Sequence, residues 1–206
     1  MNDNTVIDYI INRNIDGALV ECGVQSGKIE KIWIKKLKEK NVLTKHIYLY
    51  DTFTGLTEPG EKDSGVYNGM SADDVYNEWN KHNVYGVNTM CYCPLSKVAS
   101  DLFDMEYPPD KIHFIKGDVR QTLLDENNIP KKIAVLRLDT DWYDSSKVEL
   151  ETMFPYLVTG GVLILDDYYY WNGQKIATDE YFKNTPYQYL IHQIPGTHIG
   201  YMIKYI

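Results

Sequence analysis

Two apolar runs that stop abruptly in acid set the frame for this chain. Ile133 to Leu138 and Val162 to Leu165 have the length and branched composition of strands buried on both faces. Asp139 and Asp141 follow the first run, and Asp166 and Asp167 follow the second. Between them Leu150, Met153, Phe154 and Leu157 recur at i, i+3, i+4 and i+7, which predicts one apolar helical stripe. The unit reads strand, helix, strand. A right-handed crossover makes the strands parallel and brings both acidic ends to one sheet edge, where open α/β folds bind ligands.

Carboxylates gathered that closely repel one another unless a cation sits among them, and hard oxygen ligands suit magnesium, calcium or manganese. The edge is therefore read as a divalent metal site. Taken singly, each residue has a plainer reading. Asp139 and Asp166 can end strands or cap helices, Asp141 and Asp144 can start the next helix, and Asp167 can be solvated. The pairing at the ends of two adjacent strands favours the metal.

At 206 residues, with no composition shift or low-complexity stretch, the chain is expected to form a single domain spanning 1–206. A net charge of −8 argues against nucleic acid as a partner. Lys31, Lys35, Lys36, Lys38 and Lys40 cluster on the polar side of one helix, as a solvated face does. No apolar run is long enough for a bilayer span and the first residues lack a signal peptide's pattern, so no membrane partner and a cytoplasmic location are expected. Cys22, Cys91 and Cys93 are too few for a disulfide scaffold. Zinc held by Cys91, Cys93 and His82 has only a weak Cys-x-Cys signal behind it.

In chain order, Val6, Tyr9 and Ile10 predict a helix within Thr5 to Asn14. Ala18 to Val20 is a buried strand with Glu21 at its end. Gly23 and Gly27 bracket a tight turn into a helix carrying Ile29, Ile32, Trp33 and Leu37. Such a turn lets a ligand approach the backbone and offers unpaired N–H groups to an anion, although this one lacks the third glycine of a dinucleotide fingerprint. His46 to Tyr50 is the next strand, and Asp51 at its tip is placed to accept hydrogen bonds from ribose hydroxyls. An adenosine-containing ligand with an anionic or zwitterionic far end follows.

Residues 57–110 form an irregular excursion with helices expected at Ala72 to Lys81 and Leu95 to Phe103, and they read as a lid. Tyr67, Met70, Tyr76, Trp79, Tyr85 and Tyr92 would supply stacking surface there or pack the lid to the body. Ile112 to Lys116 is the third strand, with Gly117, Asp118 and Val119 placed to meet a nucleotide base. Thr122 to Glu126 begins the crossover helix, and Asp179 to Phe182 looks helical. Tyr187 to Gln193 and Gly200 to Tyr205, joined through Pro195 and Gly196, predict an antiparallel hairpin. His192 is expected to pack within the sheet rather than face the site.

Acid-tipped strands with a terminal hairpin resemble a class I S-adenosylmethionine-dependent methyltransferase: a Rossmann-like α/β fold, a mostly parallel seven-stranded sheet, and helices on both faces. More narrowly, ECGVQSG, YDTFTGL, GDVRQTL, LRLDTDWYDSS and GGVLILDDYYYW stand in the order found in the macrocin O-methyltransferase family. That family methylates sugar hydroxyls of natural products using magnesium. The resemblance implies that Glu21, Gly23, Val24 and Gly27 hold the methionine end of S-adenosylmethionine. Asp51 and Thr52 would hold the ribose, and Asp118 and Val119 would lie by the adenine. Asp139, Asp166 and Asp167 would ligate Mg2+ or another divalent cation, with Asp139 also bordering the cofactor. Asp139 is first in line to take the acceptor's proton, with Asp141 second. The implied acceptor is a small molecule with adjacent hydroxyls, and a homo-oligomer is suggested. Trp142 stands where similar catechol methyltransferases carry a Lys, so that base is absent.

Three other readings compete. Asp-x-Asp after a buried strand also marks metal-dependent glycosyltransferases, which leave ECGVQSG and the Asp166–Asp167 pair unexplained. Aspartyl-phosphate phosphatases need a Thr where Tyr143 stands. A non-catalytic S-adenosylmethionine-binding protein has no need of the metal carboxylates.

Overall fold

A computed structural model describes residues 3–65, 70–81, 91–186 and 189–205. Helix α1 (Asp3–Asn12) leads into β1 (Ala18–Cys22), α2 (Lys28–Glu39) and β2 (Ile47–Asp51). Helices α3 (Ala72–Asn80) and α4 (Leu95–Phe103) precede β3 (Ile112–Lys116), α5 (Val119–Thr122) and β4 (Ile133–Leu138). Then come α6 (Tyr143–Met153), β5 (Leu157–Leu165), α7 (Asn172–Lys183), β6 (His192–Gln193) and β7 (Gly200–Ile203). The zinc candidate His82 and the aromatic residues Tyr67 and Tyr85 lie outside the described residues, as does Tyr187.

The sheet has seven strands in the order β3-β2-β1-β4-β5-β7-β6. Strands β1 to β5 pair in parallel, whereas β7 runs antiparallel to β5 and β6 antiparallel to β7. The chain grows outward from β1 to β3 and then returns to place β4 on the other side of β1. The order therefore reverses at β1 and β4, and such a switch point opens a crevice beyond the carboxyl ends of the strands.

Alternation within the strands builds a core on each face. Leu19, Val135 and Ile164 pack with Trp33, Ile34 and Leu37 of α2 and with α1 and α4. Val20, Leu136 and Leu163 point the other way, toward Leu150, Met153 and Phe154 and toward Phe182 of α7. Helices thus cover both faces, as the resemblance implied.

Local differences from the sequence expectations have identifiable causes. The stripe from Leu150 to Leu157 is not one helix: α6 ends at Met153, a 3-10 turn covers Phe154–Tyr156, and Leu157 already begins β5. Pro155 cannot continue the i→i−4 ladder. The long crossover helix expected from Thr122 is replaced by the single-turn α5 and a 3-10 turn at Glu126–Asn128. Asp118 and Asp125 each cap a separate short start, accepting from Arg120 N and Asn127 N. The hairpin's first strand keeps only His192–Gln193, where His192 is exposed and lies against the Tyr201 ring. Within 57–110, α4 buries Val98 and Leu102 in the body's core, while Ala72 and Val75 pack on Trp142 and Trp171.

Candidate active site

Strand tips at the switch point are stitched together through the backbone. Gly23 N donates to Tyr50 O at 2.8 Å, Asp139 N to Cys22 O at 2.8 Å, and Asp166 N to Leu138 O at 3.0 Å. Gly23 is required at this crossing. Its φ is +87°, and a Cβ there would lie 1.9 Å from the Asp139 carbonyl oxygen.

One open cavity of about 320 Å³ runs along these tips. Gly23, Asp51, Thr52, Asp118 and Val119 line it, and so do Asp139, Asp141, Asp166 and Asp167. Three candidates sit behind the wall. Glu21 is 1% exposed, Val24 is buried in the α2-side core, and Gly27 begins α2 with φ +69° against Val98 and Leu102.

Asp51 has a task of its own. Its Oδ2 accepts from Val24 N and Gln25 N, each at 2.8 Å, and its Oδ1 from Phe53 N at 2.6 Å, so it pins the glycine turn to β2. Burial raises its pKa against those three N–H groups. At the neighbouring tip burial pulls Asp118 the same way, but the two-armed Arg120 ion pair outweighs it and lowers the pKa.

The acidic edge matches the pairing expected from β4 and β5. Asp139, Asp166 and Asp167 each offer a carboxylate oxygen, all within 4.8 Å of one another. Asp167 is 8% exposed and its Oδ2 has no hydrogen-bond partner, an arrangement that fits a hard cation. Gln174 on α7 fixes this corner by accepting from Asp167 N and donating to Leu138 O. Burial pushes the carboxyl pKa of Asp139 and of Asp167 well up; Arg137 opposes the rise at both, and neighbouring carboxylates add to it. Asp141 takes a left-handed backbone, φ +65°, and accepts from Trp171 Nε1 at 3.1 Å. Burial, followed by the charge of Asp166, lifts its pKa to about 7.

The sequence pattern did not reveal several residues of this site. Arg137 lies in the apolar run of β4, yet it is 4% exposed and bonded to Glu21, Asp139 and Asp166. A signal was present, since an Arg inside a strand buried on both faces must find carboxylates. Glu30 on α2 is wholly buried beside Glu21, and burial raises the pKa of both. In the segment after β2, Trp142 Nε1 donates to Thr57 O, and Asp63 accepts from Gly60 N and Tyr143 N. Cys91 also lines the cavity, where burial and the carboxylates push its thiol up to about 12.

The family model described as Macrocin-O-methyltransferase (TylF) matches residues 2–201. The chain belongs to this family. It is 26% identical over 181 residues to demethyldecarbamoylnovobiocin O-methyltransferase of Streptomyces niveus, covering 87% of this chain and 63% of the relative. It is 28% identical over 162 residues to 8-demethyl-8-(2,3-dimethoxy-alpha-L-rhamnosyl)-tetracenomycin-C 4'-O-methyltransferase of Streptomyces olivaceus, covering 79% and 57%. The chain thus spans about three-fifths of the length of these curated relatives. Among solved structures, the O-methyltransferase NovP superposes with a TM-score of 0.82 at 23% identity, over 100% of this chain and 78% of that one. The calicheamicin methyltransferase CalS11 follows at 0.71 and 18% identity, over 98% and 76%. The fold is that of the class I methyltransferases, and no helix among the described residues is long and apolar enough to cross a membrane.

Proposed function

We propose that this protein transfers the methyl group of S-adenosylmethionine to a hydroxyl of a small molecule, with a divalent cation at Asp139, Asp166 and Asp167. The observation that carries this reading is one continuous cavity joining the glycine turn and the Asp51 and Asp118 tips to the three carboxylates. The two named relatives are O-methyltransferases, and the substrate named for one carries a rhamnosyl sugar, which supports a sugar or glycosylated natural product as acceptor. Family membership weighs against the Asp-x-Asp glycosyltransferase. A homo-oligomer, with no nucleic-acid partner, completes the proposal.

S-adenosylmethionine supplies a methyl already activated on sulfonium, and a bound divalent cation supplies Lewis acidity toward acceptor oxygens. The chain's own residues hold and align. Gly23 at the turn and the tips at Asp51, Thr52, Asp118 and Val119 receive the cofactor. In the transfer an oxygen–carbon bond forms, the carbon–sulfur bond breaks, and the hydroxyl proton must leave. Asp141 is the better placed of the two candidates to take it. It lines the cavity and is oriented by Trp171, whereas Asp139 Oδ2 is engaged by Arg137.

Calorimetric titration with S-adenosylmethionine and S-adenosylhomocysteine, with magnesium or a chelator, tests the cofactor. Release of S-adenosylhomocysteine in the presence of deoxysugar-bearing acceptors tests the transfer. Binding without turnover across hydroxylated acceptors would favour a non-catalytic binding protein, and metal-dependent binding of a UDP-sugar in its place would sink the proposal.

A further inference from the structure

Arg137 occupies a position where β4 is otherwise aliphatic, with its side chain 5% exposed. Its Nε donates to Glu21 Oε1 at 2.9 Å, and Glu21 is its register partner on β1. Its Nη2 donates to Asp139 Oδ2 at 3.0 Å and also to Asp166 Oδ1. One guanidinium therefore spans a buried glutamate and two of the three carboxylates assigned above to the metal.

We propose that Arg137 is the resident counter-cation of the acidic edge: it aligns Asp139 and Asp166 in advance and, through its fixed charge, sets a ceiling on their affinity for a divalent ion. The inference rests on the metal reading of the site. Two physical effects oppose each other. Alignment favours metal binding, because two short side chains are already held in place. Charge disfavours it, because a unit charge bonded to the ligands repels a doubly charged ion at neighbouring oxygens. Each oxygen that Arg137 occupies also has one lone pair fewer to offer a metal ion. Arginine cannot shed its proton to relieve the conflict. The repulsion is the larger effect, since Asp and its few rotamers cost little to order while the charges meet at a part-buried edge around a guanidinium that is itself 5% exposed.

The test is binding of MnCl2 to the purified full chain, followed by calorimetry and by the electron paramagnetic resonance signal of free Mn2+. Arg137→Gln should bind Mn2+ about tenfold tighter than the wild type, or more. Arg137→Lys keeps the charge but cannot reach Glu21 and both aspartates, and it should stay within about threefold of the wild type. Equal or weaker binding by Arg137→Gln overturns the proposal, and so does equal tightening by Arg137→Lys. If Arg137→Gln fails to fold because Glu21 is left buried and unpaired, the double variant Glu21→Gln with Arg137→Gln carries the same expectation. A free-ion signal left undiminished by every protein, wild type included, would overturn the metal reading and this inference with it. That result is distinct from equal binding by wild type and variant, which overturns the inference alone.

Discussion

Trp171 donates its indole N–H to Asp141 Oδ1 across 3.1 Å, linking the loop after β5 to a left-handed residue after β4. The same indole packs against Trp142, ring centroids 5.4 Å apart, and against Ala72 and Val75, so one side chain orients an acid and packs α3 to the body. Trp171→Phe keeps the ring and removes the donor. Its kcat should fall about tenfold, with the acceptor KM changed less than about threefold, as expected for losing a hydrogen bond to a charged group. Steady-state kinetics decide it; a loss confined to KM would assign Trp171 to acceptor binding.

Asp167 tests the proposed metal site apart from the proposed cofactor site. It is buried, its Oδ2 is unpartnered, and its backbone is held by Gln174. Asp167→Asn should therefore fold normally, bind S-adenosylmethionine within about threefold of the wild type, and lose more than about 100-fold in turnover. Calorimetry beside the turnover assay checks both halves. Loss of cofactor binding with intact metal binding would reverse the assignment.

Asp63 joins the segment after β2 to the body. Its two oxygens serve Gly60 N and Tyr143 N, each at 2.7 Å, and a Cβ on Gly173 would lie 1.8 Å from Oδ1. Asp63→Ala orphans both amides and should cost about 1–3 kcal/mol. Thermal unfolding measures the cost. Limited proteolysis should show faster cleavage near 57–65, and unchanged cleavage would mean that the Trp142–Thr57 bond suffices to hold the segment.

Glu149 makes stability depend on pH. It is wholly buried on α6, Thr140 donates to one of its oxygens, and burial pushes its pKa up to about 8. The unfolded chain releases this proton near the ordinary value of 4.5, while the folded protein retains it to about 8. Its contribution is therefore fully present below about pH 4.5 and is lost as pH rises toward 8. Glu149→Gln should remove that loss, raising stability relative to the wild type by about 1–3 kcal/mol at pH 8 and little at pH 4.5. Unfolding midpoints across that window would contradict this if the two proteins ran in parallel.

Local pattern carried the architecture. The ranges of β3, β4 and α4 read from the sequence match the structure, and the acidic tips at Asp139, Asp166 and Asp167 meet as their strands' periodicity required. Hydrophobic period and chain-breaking residues act over a few positions, so a single sequence suffices to read them. Boundaries failed where two signals competed, as at Pro155 inside the apolar stripe and at the Asp118 and Asp125 caps.

What the tertiary structure decided is which charge meets which. Glu21 and Arg137 lie 116 positions apart and became partners because β1 and β4 pair in a register that sets them side by side. Glu30 sits on the helix whose lysines read as a solvated face and Glu149 on the helix after β4, and the packing buries both and raises their pKa. Desolvation and Coulomb interaction depend on distances through space. The sequence determined that an acidic edge would form; the fold determined that a buried arginine would stand within it.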